Sequence, residues 1–321
     1  HATATLWRRG FAAAFQSGSA AAAVQTLRVN PRPRDYNPFR MPQIGSLLRT
    51  AALAIVIAVP LLAQIPEGDR HFAMRAEGAQ GARAKAAPVD AAIAAYQRAV
   101  NADPNDLEAH WKLLRAYRFK GAYTTTTLPQ KQQVYDAAKS AGEKAVAVAY
   151  RKTGTSVKSS EKQVADASRK VPGAAEVFLW DAVIWGEWGL AYGKMAAARQ
   201  GAADRIRREA TIAHLASPRI EDGAPSRVLG RLHDMTPRIP LVTGWASSKE
   251  AVRFLHESLR IGPDNKLTMV FLAAAMVSND SSTKPQAIQI LQGVVNSPLD
   301  PQYPVEDAAA VEDAKALLAK R

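Results

Sequence analysis

Three helices of this 321-residue chain end at a proline in the same register. In the first, Ala92, Tyr96 and Ala99 stand four and three residues apart on one face, and Pro104 closes the helix. A second face follows with Trp111, Leu113, Leu114, Ala116 and Tyr117, so Val89 to Gly121 reads as helix, short turn and antiparallel helix. The small Ala92 and Ala99 let the two helices approach, and Tyr96 and Tyr117 fill the wedge between them. At an offset of 114 the same positions hold Ile206, Ala210, Ala213 and Pro218. At an offset of 159, Ala92, Ala99, Pro104, Asn105, Asp106, Leu113 and Ala116 meet Ala251, Ser258, Pro263, Asp264, Asn265, Leu272 and Ala275, while Tyr96 meets Leu255. A lone hairpin leaves an apolar face bare and needs others stacked on it. The expectation is an all-α fold built as an array of helical hairpins over residues 89–321.

What precedes the hairpins differs in kind. Residues 1–40 are rich in Ala, Ser and Arg without a helical period, and read as upstream translation or a nonstructural extension. From Met41 a short segment carrying Arg49 leads into an apolar run, Ala51 to Ala63. Thirteen residues fall short of the about 20 that span a bilayer, and suit the core of a Sec-type signal peptide over 41–63. A buried or interfacial helix is the other reading of that run. The Gly- and Ala-rich stretch 64–88 reads as a linker.

The formal charge of +13 raises the question of nucleic acid, and its distribution answers it. Residues 1–40 contribute +5 and Arg49 one more, leaving +7 scattered among acidic side chains with no basic stripe, so nucleic acid is not expected as a partner. The absence of cysteine excludes a disulfide framework, a thiolate metal site, a cysteine nucleophile and an acylated N-terminal cysteine.

Further helices are expected at about Gln130–Tyr150, Ala174–Tyr192, Ala202–Ala216, Ser226–Met235, Ser247–Arg260, Gln286–Asn296 and Val305–Lys320. Thr124–Thr127 and Lys152–Lys162 read as polar loops, the second lacking the spacing of a phosphate cradle. Glu306 and Asp307 at the start of the last helix, with Lys320 and Arg321 at its end, suit a terminal capping helix.

The repeats resemble tetratricopeptide repeats, degenerate and interrupted by loops, which makes the expected array an α-solenoid. Glu176 to Trp180 and on to Gly186, then Arg227-Val228-Leu229-Gly230-Arg231-Leu232, the loop with Pro237 and Pro240, and Ser247 to Pro263 resemble the TatT family. That family is the periplasmic T component associated with tripartite ATP-independent periplasmic (TRAP) transporters. The resemblance covers about residues 88–296. It implies a periplasmic helical-repeat protein with a ligand pore or groove. Its implied partners are a small-molecule solute and the solute-binding protein of a TRAP-type transporter, and it leaves a homo-oligomer open. The T component described for the family is a lipoprotein, and this chain lacks the cysteine for acylation.

By the repeat register Trp111, Arg115, Arg118 and Phe119 lie away from the packing face of Leu113 and Tyr117. Aromatic rings beside guanidinium groups can hold an apolar body that carries a carboxylate; a solvated face is the plainer reading. Trp185, Trp188 and Tyr192 share one stripe, which serves either a ligand or core packing. Arg227 and Arg231, one turn apart beside Gly230, can meet an anion or surface carboxylates. His214, His233 and His256 lack ligand spacing, and neither G-x-S-x-G nor G-x-G-x-x-G occurs. Glu250 and Glu257 with His256 make a weak acid/base set. The expectation is a binding protein, no enzyme, without cofactor or metal. The alternative is a general tetratricopeptide scaffold for envelope assembly.

Overall fold

The computed structural model describes residues 64–239 and 243–320. The extension and signal peptide expected over 1–63 lie outside the described residues, as does the middle of the Pro237–Gly244 loop. Among the described residues there are thirteen α-helices and no strand: α1 (Gln64–Ala73), α2 (Ala86–Ala102), α3 (Leu107–Tyr123), α4 (Leu128–Thr153), α5 (Glu161–Ser168), α6 (Ala174–Tyr192), α7 (Lys194–Arg199), α8 (Ala202–Ala216), α9 (Ala224–Met235), α10 (Ser248–Ile261), α11 (Lys266–Asn279), α12 (Lys284–Asn296) and α13 (Pro304–Ala319). The fold is all-helical.

Polar side chains at fixed places set the helix boundaries. Asp106 accepts from the amides of Glu108 and Ala109 at the start of α3, and its repeat equivalent Asn265 accepts from Thr268 at the start of α11. The repeated turn is thus a repeated N-cap. The four threonines divide their work. Thr124 and Thr125 donate back to the carbonyls of Lys120 and Gly121 at the end of α3, while Thr127 forms a capping box with Gln130 that starts α4.

Two segments differ from the sequence expectation. The stretch read as a linker contains α1, and Phe72 and Gly68 of that helix are buried. A Cβ on Gly68 would lie 2.4 Å from Tyr96 Cε1, so this glycine marks close contact with α2 and not a flexible joint. The polar loop Lys152–Lys162 ends sooner than expected. Ser160 and Gln163 form a capping box there, and α5 buries Val164, Ala165 and Ser168.

Helices adjacent in sequence pack together: α1 on α2, α2 on α3, α3 on α4, α9 on α10 and α10 on α11. In the middle α6 meets α3, α4 and α8. The last helix returns to the first. Val305 shares an apolar cluster with Phe72, Val89, Tyr96 and Leu113, and Arg75 Nε lies 3.1 Å from Glu306 Oε1. The second acidic residue of α13, Asp307, meets Lys266 at 3.3 Å. The acidic start of α13 therefore closes on α1 and α11, in addition to complementing its own helix dipole.

Candidate functional site

One stripe of α3 carries the half-buried Trp111, Arg115 and Arg118, and Tyr123 ends the helix, a run of about 18 Å at the helical rise. The Arg115 guanidinium lies between two rings, 4.3 Å from the centroid of Phe72 and 4.9 Å from that of Trp111. Among the described residues its one carboxylate contact is long, Nη1 to Glu221 Oε1 at 3.4 Å, and its buried Nε has no hydrogen-bond partner. One turn on, Arg118 is better satisfied: Nε reaches Glu187 Oε1 of α6 at 3.2 Å and Nη1 donates to the Tyr123 hydroxyl at 2.8 Å.

Arg227 of α9 joins this group. Its guanidinium donates to the Thr268 hydroxyl and to the backbone carbonyl of Glu221, each at 3.2 Å. Among the described residues no carboxylate comes within 4.0 Å of it. Burial, with the neighbouring charge of Arg118, pulls Arg227 down to about 10 despite the counteracting Glu221 and Asp222. Glu221 occupies an unusual turn: it and Asp222 have φ of 46° and 54°, followed by Gly223 at 80°. Three successive left-handed residues, two of them with a Cβ, form a strained backbone.

Arg75 and Glu306 complete the cluster from α13's side, with Tyr303 5.8 Å from the Arg75 guanidinium. Burial, then the charges of Glu221 and Asp222, raise Tyr303. The arginine stripe runs between two open depressions. One, of about 500 Å³, is lined by Leu107, Trp111, Lys152, Val171 and Pro172; the other, of about 340 Å³, by Arg83, Tyr123, Thr125, Lys131 and Asp313. Trp111 and Tyr123 therefore face one depression each.

Of the residues singled out in the sequence, Trp111, Arg115, Arg118 and Arg227 converge here. Arg231 pairs with Asp234 at 2.9 Å and lies 4.5 Å from the centroid of Phe271. Phe119 does not face away from Leu113 as expected. It is 2 % exposed, shares the Leu113 cluster and packs edge-on to Phe72 at 6.0 Å, because α1 and α13 cover a side of α3 that a two-helix hairpin leaves open. Trp185, Trp188 and Tyr192 do form one stripe, with Trp188 and Tyr192 stacked at 4.6 Å. Their polar atoms turn to α4: Trp188 Nε1 and the Tyr192 hydroxyl both donate to Asp136, and Lys139 lies over Trp185 and Trp188 at 4.4 and 5.0 Å. They are a group apart from the arginines. Phe72, Arg75, Glu187, Glu221 and Tyr303 went unmarked in the sequence, and Glu306 was marked only as a helix-start acid. A signal existed only for Phe72, four residues after Gly68 on a helical face.

In the acid/base set His256 is exposed and the two glutamates share a cation. Glu250 and Glu257 both pair with Arg253. Glu257 also comes within 3.7 Å of His214 Nε2, whose Nδ1 is 3.1 Å from Ser226 Oγ. This has the order of a Ser-His-acid relay, but Ser226 is 0 % exposed, so no substrate reaches its hydroxyl. Among the described residues no group of three His, Asp or Glu is placed to hold a metal ion, and no helix is long and apolar enough to cross a membrane. Comparison with protein-family models finds no match, and neither does comparison with curated protein sequences.

Proposed function

We propose that this chain binds a small organic anion on the arginine stripe of α3 and catalyses no reaction of its own. The observation that carries the reading is Arg227, a partly buried guanidinium near the charge of Arg118 with two neutral oxygen partners and, among the described residues, no ion pair. An unpaired cation in such surroundings is costly, and an incoming anion removes that cost. Phe72 and Trp111 beside Arg115 offer apolar surface to the rest of the solute.

The proposal extends to a tetratricopeptide-like solenoid of the TatT type, exported to the periplasm by the signal peptide over 41–63 and serving the solute-binding protein of a TRAP-type transporter. Its support is the family resemblance together with the N-caps Asp106 and Asn265 at equivalent repeat positions. Native mass spectrometry of protein purified from cells tests the binding. A retained small molecule that is lost in Arg227→Met and in Arg115→Met supports the reading, and a molecule retained equally by both variants refutes it. For export, N-terminal sequencing of the mature protein should begin at or near Gln64; a mature chain still carrying Met41 would remove that part.

One observation favours the scaffold reading. Leu190 and Met195, at the end of α6 and in α7, are 65 % and 52 % exposed, and scaffolds bind partners through exposed apolar side chains of this kind.

A further inference from the structure

Glu221 makes contacts that set it apart from the other carboxylates of the cluster. It touches two arginines with different ends, its carboxylate meeting Arg115 and its backbone carbonyl meeting Arg227. It does so from a left-handed backbone that it shares with Asp222; these two are the non-glycine residues with positive φ among the described residues. The turn is wedged in place. A Cβ on Gly223 would fall 2.9 Å from the carbonyl oxygen of Ser258, and one on Gly262 would fall 2.7 Å from Asp222 Cβ, so α10 holds the turn by contacts that admit only glycine.

Despite that investment, the ion pair obtained is poor. A carboxylate normally meets arginine through two parallel hydrogen bonds at 2.7–2.9 Å. Glu221 supplies one contact at 3.4 Å and leaves the buried Arg115 Nε without an acceptor. The Phe72 and Trp111 ring centroids lie 4.3 and 4.9 Å from the guanidinium and the Tyr96 hydroxyl is also beside it, so a ligand competes with Glu221 for the hydrogen-bonding edge.

We infer that Glu221 is a resident counter-ion which an incoming carboxylate displaces, so that the site takes monocarboxylic acids with a compact apolar or aromatic body. This rests on the anion-binding reading above and specifies its ligand. The exchange at Arg115 is one carboxylate for another, and the displaced Glu221 keeps its own negative charge near the site. The arriving carboxylate can satisfy Arg115 through two hydrogen bonds, including one from Nε. Its apolar body lies against Trp111 toward the depression that Leu107, Val171 and Pro172 line together with Asp106, Glu108 and Lys152. Released from Arg115, the Glu221 side chain swings outward while its carbonyl stays on Arg227, in the turn that Gly223 and Gly262 hold.

The test is calorimetric titration of the full chain with benzoate and cyclohexanecarboxylate, with benzyl alcohol as the neutral control. The variants are Glu221→Gln, Glu221→Gly and Arg115→Met. Glu221→Gln removes the competing charge at constant shape, and Glu221→Gly also removes the strain and serves if the glutamine variant folds poorly. Both should bind the acids about tenfold more tightly than wild type, the equivalent of one partly buried ion pair, and Arg115→Met should not bind. Wild-type binding that is lost in Arg115→Met but unchanged or weaker in both Glu221 variants would overturn the counter-ion role and leave the anion site standing. No binding of either acid by wild type or any variant would overturn both.

Discussion

Replacing Glu209 by glutamine should leave this protein less sensitive to alkaline pH, and the reason lies between α6 and α8. Asp181 and Glu209 are 0 % and 3 % exposed and within hydrogen-bonding reach of each other. A single cation serves both: Arg205 donates to Asp181 Oδ2 at 2.7 Å and to Glu209 Oε1 at 3.0 Å. Asp181 Oδ1 and Glu209 Oε2 have no other partner, which one shared proton would remedy. Burial first, then the charge of Asp181, holds the Glu209 carboxyl well above the usual carboxylate range; burial also raises Asp181. With a raised folded pKa the native state binds more protons than the unfolded chain. The stabilisation is complete below the unfolded pKa of about 4.3 and is lost as pH climbs through the folded value. For a one-proton difference the loss inside that window is about 1.4 kcal/mol per pH unit, or about 3–5 °C in Tm for a chain of this size.

Wild type also contains His110, His214 and His233, all lowered chiefly by burial, whose contribution runs the other way and fades as pH falls. The informative quantity is therefore the difference in Tm between wild type and Glu209→Gln, measured by circular dichroism from pH 5 to pH 9. It should move steadily in favour of the variant, which presents a neutral side chain at every pH. A constant difference would refute the shared proton. So would a variant weaker by about 3–5 kcal/mol throughout, because that is the cost of breaking a buried pair whose members are both ionised.

Gly68→Ala should destabilise the protein by about 1–3 kcal/mol, since its Cβ would lie 2.4 Å from Tyr96 in the core; an unchanged denaturation midpoint would mean that α1 is not seated on α2. Asp106→Ala and Asn265→Ala should each cost about 1 kcal/mol by urea denaturation, and the double variant should cost their sum. A markedly greater loss in the double variant would show that the two caps are coupled.

The sequence was legible where one helix answers to one partner. Ala174–Tyr192 and Ala202–Ala216 are the observed limits of α6 and α8, and the turn after Pro104 recurs after Pro263 with its cap. It was less so where several elements meet. α3 is covered by α2, α4 and α6, and by residues of α1 and α13, so its wheel has no single apolar face and even Lys112 and His110 are buried. That is why the register placed Phe119 beside Arg115 when its ring belongs to the core. Trp111, Arg115, Arg118 and Arg227 could be picked out because guanidinium and indole groups are conspicuous at helical spacing. Glu221 could not, because its importance comes from a backbone conformation that nothing in Ile220-Glu221-Asp222-Gly223 announces beyond the glycine.

The return of α13 to the first hairpin also imposes an order in time. Val89 emerges from the ribosome early, yet Val305, which shares its apolar cluster, is 216 residues behind it. At 5–20 residues per second that interval is roughly 10–40 s, during which the Val89 hairpin lacks the cover that Val305 later provides. The apolar surface that Val305 covers is therefore among the last parts of the fold to be sealed.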